Sequence, residues 1–300
     1  MGSKFLVFTV TKALATLLAL LVSSSALAQA IDLSSGEGGL LAFRKIQCSL
    51  TDGEPRTFSW HGRAYSRVPG EKDRLLFRVE GMNIRQCVSV EDPERGTGFK
   101  LVSREILLYQ DPNTGEVLRT WTNPWTGQEV EVLHVANDPV NNGPFFAPFP
   151  WTGTIREGRW WSTATIPLFY TNPLGGNYQE YVGGTYHATE MFNFMGDVES
   201  LVDRTRPAEV QVGWVRMSSW LPWMRMGDRI GVIYMHTAGK KLDDFDALPA
   251  VMKAEIKKNY PGYVDPPPGD DERRNETSWT YFKKIIDQRG GAAAGAEGGH

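Results

Sequence analysis

His134, Asn137 and Asp138 fall within one short stretch of the chain and are of types that move or hold protons. An imidazole titrates near neutral pH and can serve as a general base, and a nearby carboxylate can fix its orientation. A plainer account stays open: Asn137 and Asp138 precede Pro139, where such side chains ordinarily shape a turn, and His134 then merely ends a strand. The second group is Tyr186-His187-Ala188-Thr189-Glu190. In a strand, Tyr186, Ala188 and Glu190 share one face while His187 and Thr189 share the other, so only one set can face inward. An inward Glu190 among apolar walls would hold its proton more tightly and could shuttle it; at the surface it would do nothing. Arg216 could neutralise a ligand carboxylate or a buried acid, and Asp197 and His236 are lesser candidates. The candidate catalytic set is His134, Asp138 and Glu190.

The second chemical signal is aromatic. Eight of the ten tryptophans lie between Trp121 and Trp223, most of them near Pro, Met or Phe. Large flat rings with adaptable methionines suit a pocket for a flat, greasy molecule. The candidate ligand contacts are Trp121, Trp125, Asn137, Phe149, Trp151, Tyr186, Arg216, Trp220 and Trp223. The same rings would serve equally as an aromatic core that plugs a barrel. A membrane-surface role is weaker, because no Lys/Arg face accompanies them. The motifs G-x-S-x-G, H-E-x-x-H and a strand-borne G-x-G-x-x-G are missing, so neither cofactor nor metal is expected.

These residues need a scaffold, and the patterning predicts a β-rich one. From Phe43 to about Val135 the chain reads as short antiparallel strands parted by turn formers such as Pro69-Gly70. Asp111-Pro112-Asn113-Thr114-Gly115-Glu116 is echoed twelve residues on by Asn123-Pro124-Trp125-Thr126-Gly127-Gln128. In each, Asx bonds back to the backbone, Pro presets φ and Gly leaves with positive φ, which predicts a meander over 104–110, 117–122 and 129–135. A Pro-rich loop follows, with four aromatics and two prolines over 145–151, fit for a lid or pocket wall. Strands resume near 159–170, 181–194, 208–217 and 229–238. The end is helical: Asp243-Asp244 could cap a helix through Leu248, Val251, Met252 and Ile256, and a second starts after Thr277. The favoured architecture is a single antiparallel β-barrel of the lipocalin or calycin kind with two C-terminal helices, since closure removes strand edges and a wide barrel can hold a ligand. A two-sheet sandwich is the alternative.

The N-terminus predicts export. Lys4 and Lys12 precede an uncharged apolar run over 13–22, and Ala26-Leu27-Ala28 supplies small residues for cleavage near Ala28. A membrane span takes about 20 apolar residues, about twice that run, so no stable membrane insertion is expected. Removing residues 1–28 leaves 30 basic and 35 acidic side chains from the original 32 and 35, a mildly acidic balance that disfavours nucleic acid. The remaining residues are expected to form one domain over 29–289 with a disordered tail over 290–300. The only two cysteines, Cys48 and Cys87, fit a disulfide in an oxidising periplasmic or extracellular destination. Two free thiols remain the other reading. Nothing in the pattern speaks to oligomeric state.

Four segments carry a family likeness: Trp121-Thr122-Asn123-Pro124-Trp125-Thr126-Gly127, His134 through Asn141, Trp220-Leu221-Pro222-Trp223-Met224 and Asn275-Glu276-Thr277-Ser278-Trp279. With them the chain resembles an exported proteobacterial family classed as a domain of unknown function. The resemblance spans nearly all of the chain after the export signal. It implies a single domain and brings no activity and no catalytic residues. The expectation is therefore an exported protein that binds an apolar, aromatic or polycyclic small molecule in a β-barrel cavity. The alternative is a cofactor-free enzyme for proton transfer, isomerisation or hydrolysis in that cavity. A third possibility, an interaction module, would instead show its aromatics as a large exposed patch.

Overall fold

Alternation of apolar and polar residues organises the chain into long hairpins whose inward faces build one core. The computed structural model describes residues 30–170 and 186–297, so the predicted export signal lies outside the described residues. In chain order the elements are α1 (Gly36–Gln47), β1 (Arg56–Arg67), β2 (Arg74–Asp92), β3 (Gly96–Gln110), β4 (Thr120–Thr122), β5 (Glu129–Glu131), β6 (Val135–Asn137), β7 (Asn142–Phe145), β8 (Thr154–Arg156), β9 (Arg159–Tyr170), β10 (Tyr186–Asp197), α2 (Val198–Val202), β11 (Gln211–Ser218), β12 (Val232–Leu242), α3 (Ala250–Asn259) and α4 (Ser278–Glu297). Ten strands form one sheet in the order β6-β3-β2-β1-β12-β11-β10-β9-β8, with β7 also on β3, while β4 and β5 pair separately. The pairings are antiparallel, and β1 beside β12 joins the first half of the chain to the last.

The sheet curls strongly. Leu107 and Tyr109 of β3, Ala64 of β1, Met235 of β12, Trp214 of β11 and Ala188 of β10 share one core cluster. In a flat sheet β3 and β10, five strand spacings apart, would be separated by roughly 24 Å. Only a trough that turns the same face inward brings them together. Each end of the trough is stoppered. At one end α1 and α2 contribute Ala42, Ile46 and Leu201 to a cluster with Phe58, Trp160 and Val212. At the other, Trp223, Met224, Trp279 and Phe282 pack on Phe77 and Tyr109. The outer face of β2 and β3 is covered by α3, through Met252 and Ile256 on Met82, Ile84, Ile106 and Leu108.

The mainly β antiparallel class and the two late helices match expectation, whereas the closed barrel does not form among the described residues. The sheet path ends on strands of three or four residues, β6, β7 and β8, too short to zip together. One ten-stranded sheet builds most of the core, and the separate β4–β5 pair adds Val130 to it. The two like turns form as predicted: Asp111 Oδ1 accepts from the Asn113 and Thr114 amides, Asn123 Oδ1 from Trp125 and Thr126, and Gly115 and Gly127 take φ of 79° and 71°.

Two local expectations are corrected. Phe43 and its neighbours are helical, not a strand. Ser35 caps α1 by accepting from the Gly38 amide at 3.0 Å, Glu37 stands in its first turn, and Arg44 and Lys45 stand in its last. The clustered glycines that obscure this helix in the sequence serve contact: a Cβ on Gly39 would lie 1.9 Å from the Phe149 carbonyl oxygen. Second, Asp244 does not cap α3; it accepts from the Ala247 amide one turn earlier, and α3 starts behind Pro249. The last helix, α4, runs to Glu297. Cys48, at the C-cap of α1, is bonded to Cys87 on β2, and both are fully buried. The disulfide thus ties a helix to the sheet rather than strand to strand. Among the described residues no helix is long and apolar enough to cross a membrane.

Candidate functional site

The inward face of the trough is apolar at its two ends and polar between them. Along β3 the inward positions run Phe99, Leu101, Ser103, Glu105, Leu107, Tyr109, and along β2 they run Phe77, Val79, Gly81, Asn83, Arg85, Cys87. Register places Asn137, Glu105, Asn83, Phe58 and Lys241 side by side across β6, β3, β2, β1 and β12. Glu105 accepts a 2.6 Å hydrogen bond from Asn137 Nδ2. Arg85 donates to Asn83 Oδ1 at 2.8 Å and to Gln47 Oε1 of α1 at 2.5 Å, and its guanidinium lies 4.5 Å from the Phe58 ring centre. Asn83 Nδ2 in turn donates to Ser103 Oγ at 3.3 Å. From the opposite wall, Arg216 of β11 donates to Glu190 Oε1 of β10 at 2.6 Å, with both side chains under one-fifth exposed.

The two walls are close enough to feel each other. Burial pushes the Glu105 carboxyl above its ordinary range, and the negative charge of Glu190 pushes it further. The Asn137 amide, Arg216 and Arg85 pull the other way without cancelling the rise. Burial likewise brings Arg85 down to about 10. Lys241, whose ammonium donates to the Lys45 carbonyl at 2.7 Å, is lowered to about 7, chiefly by burial. Glu105, Arg85, Glu190 and Arg216 nevertheless keep some solvent-accessible surface, so this stretch of the inward face is not sealed.

Aromatic rings form the rest of the wall. Trp60 and Trp214 lie 6.1 Å apart between ring centres, and Phe192 lies 6.5 Å from Trp214 and stacks at 5.8 Å on Phe194. Trp60, Phe192 and Phe194 are half-buried. Gly81 makes this arrangement possible, since a Cβ there would lie 2.1 Å from Trp60 Nε1. The Trp60 indole therefore lies over β2 beside Leu107, two residues from Glu105 on β3. Among the described residues, Trp60 Nε1, Trp214 Nε1 and Asn137 Oδ1 are buried without a hydrogen-bond partner. The indole nitrogens of Trp151, Trp160 and Trp223 in the two plugs are likewise buried without a partner among the described residues, so this state is common to the packed indoles of the fold.

Of the residues expected from the sequence, Glu190, Arg216 and Asn137 come together here. His134 and Asp138 do not join them. His134 is 4 % exposed; its Nδ1 accepts from the Tyr109 amide at 3.1 Å, and burial, then Arg119, lowers it to about 4. A neutral imidazole engaged by the backbone is a sheet component. Asp138 is held by Arg104 at 3.1 Å and Arg273 at 2.7 Å, fastening the C-terminal connector to the loop after β6. Trp121 and Trp223 meet edge-on at 5.9 Å, and Trp125 packs 5.2 Å from Trp220, whose Nε1 donates to the Arg229 carbonyl. These four belong to the plug at one end. Phe149 stacks on Phe43 at 4.8 Å and Trp151 packs on Trp160 at 5.8 Å, at the α1 end. The side chain of Tyr186 lies outside the described residues. Asp197 caps α2, and His236 is exposed on the outer face.

Sequence reasoning missed Glu105, Asn83, Arg85, Trp60 and Trp214. Their signal was present: Ser103 and Glu105 interrupt an otherwise apolar alternation on β3, and Asn83 and Arg85 do the same at the paired positions of β2. No three His, Cys, Asp or Glu side chains gather as a metal site would among the described residues.

The chain matches the family described as protein of unknown function (DUF1838) over residues 53–286, and it belongs to that family. The match covers every strand of the sheet and leaves α1 outside. No curated protein matches the chain.

Proposed function

We infer that this family member is an exported protein that binds an apolar, aromatic or polycyclic small molecule in the hollow of its curled sheet. The observation that carries the reading is the half-buried aromatic wall of Trp60, Phe192 and Phe194 on the same inward face as Glu105, Arg85, Glu190 and Arg216. A ligand with a flat apolar body would cover Trp60, Phe192 and Phe194, and a polar group on it would meet the charged side chains of the inward face. Pockets of this make-up, apolar walls with a few converging polar groups, are the usual ligand sites of proteins. The trough is then an incomplete barrel of the calycin kind, stoppered at both ends. Export, with cleavage near Ala28, is supported by the apolar N-terminal run and by a disulfide that suits an oxidising compartment. The acidic balance and the absence of a basic block favour a small molecule over nucleic acid.

The test is a tryptophan fluorescence titration against aromatic and polycyclic metabolites, on the parent protein and on Trp60→Phe and Trp214→Phe. Saturable quenching that weakens at least several-fold in both variants is expected. Absence of any saturable change across the panel would refute the reading.

A further inference from the structure

We propose that the hollow is a proton-transfer site in which Glu105 and Glu190 act as an acid–base pair on an enolisable aromatic ketone. The proposal rests on the ligand-binding reading above and adds chemistry to it.

The geometry has three parts. Two carboxylates enter the hollow from opposite walls, Glu105 from β3 and Glu190 from β10, each fixed among the described residues by one short hydrogen bond, from Asn137 and from Arg216 respectively. Each therefore has an oxygen to offer a ligand. The Trp60 indole lies over Gly81 on the Glu105 side, with its ring centre 6.1 Å from that of Trp214. The flat walls of Trp60, Phe192 and Phe194 complete the fit for an aromatic body.

The environments also assign the roles. Burial and the Glu190 charge favour the protonated form of Glu105, while Glu190 sits in an ion pair with Arg216. Carboxyls whose surroundings differ in this way divide into acid and base. In the forward step the Glu190 carboxylate takes a proton from the carbon beside the carbonyl, and the C–H electron pair becomes a C=C bond. The carbonyl π pair moves to oxygen, which takes the proton of Glu105. The products are the enol, a protonated Glu190 and an ionised Glu105, and the reverse step restores both residues. No charge is created overall. The positive charge of Arg216 acts on both carboxylates, so it stabilises the negative charge wherever that charge resides.

The test uses the whole protein in D2O with 2-tetralone, 1-indanone and phenylpyruvate, following deuterium uptake at the α-carbon by proton NMR and binding by tryptophan fluorescence. For the probes that bind, exchange faster than in buffer is expected. Glu105→Gln and Glu190→Gln should each lower that excess by about 100-fold or more while still binding the ketone, and Glu105→Asp should recover part of it. Retained binding reports that a variant is folded. If ketones bind but exchange no faster than in buffer, or if Glu105→Gln exchanges as fast as the parent, the proton-transfer proposal falls and the binding reading stands. If no ketone or other aromatic metabolite binds, both fall.

Discussion

His134 shows how one buried group can look catalytic in a sequence and be structural in the fold. Its Nδ1 accepts from the Tyr109 backbone amide, so a proton added there would turn an acceptor into a donor facing a donor. Burial, and the nearby Arg119 after it, lower its pKa to about 4 from an ordinary 6.5. Between those values the unfolded chain binds the proton and the folded one does not. The resulting stability is fully present above about pH 6.5 and is withdrawn as the pH falls toward 4. The shift corresponds to about 3 kcal/mol. Urea unfolding across that window should show a loss of this order, and His134→Gln, which keeps an acceptor but does not titrate, should remove that part of the pH dependence. An unchanged pH profile in the variant would contradict the assignment.

Among elements, the β2–β3 pair decides where the hollow lies. Alternation made most strands legible: the sequence predicts 159–170, and β9 spans that interval. The two Asx-Pro-x-Thr-Gly turns were legible for the same reason, since turn chemistry is local. What local pattern could not disclose was α1, where glycines chosen for close contact with Phe149 dilute the helical signal, and sheet closure, which depends on strands far apart in the chain. The site was legible in part. Glu190 and Arg216 announce themselves as charges on apolar strands, but their meeting with Glu105 depends on a curl across four intervening strands. Gly81 tests this level directly, because its missing Cβ makes room for the Trp60 indole. Gly81→Ala should cost about 1–3 kcal/mol in chemical unfolding, as overpacking does, and should weaken ligand binding by displacing Trp60. Parent-like stability and binding would show that the indole does not depend on that space.

At the scale of the molecule, the strand order explains why one cavity draws on both ends of the chain. With β1 beside β12, the first half supplies Glu105, Asn83, Arg85 and Trp60, and the second supplies Glu190, Arg216, Trp214 and Phe192, all facing one trough. Neither half would enclose a ligand alone. The C-terminal connector adds a strap: Asn275 and Asn141 exchange hydrogen bonds, and Tyr263 donates to the Ala136 carbonyl at 2.7 Å, holding the strand that carries Asn137. The stoppers at the two ends account for most of the tryptophans that had suggested a pocket, leaving Trp60 and Trp214 as those facing the hollow. The most direct measurement is a nitrogen–proton correlation spectrum of the indole N–H groups, titrated with an aromatic ligand that quenches fluorescence. Peaks are assigned by Trp60→Phe and Trp214→Phe, with Trp220 as the reference already bonded to a backbone carbonyl. Binding in the hollow predicts that the Trp60 and Trp214 signals shift together with saturation while Trp220 stays in place. Movement of Trp220 with Trp60 and Trp214 unchanged would contradict it.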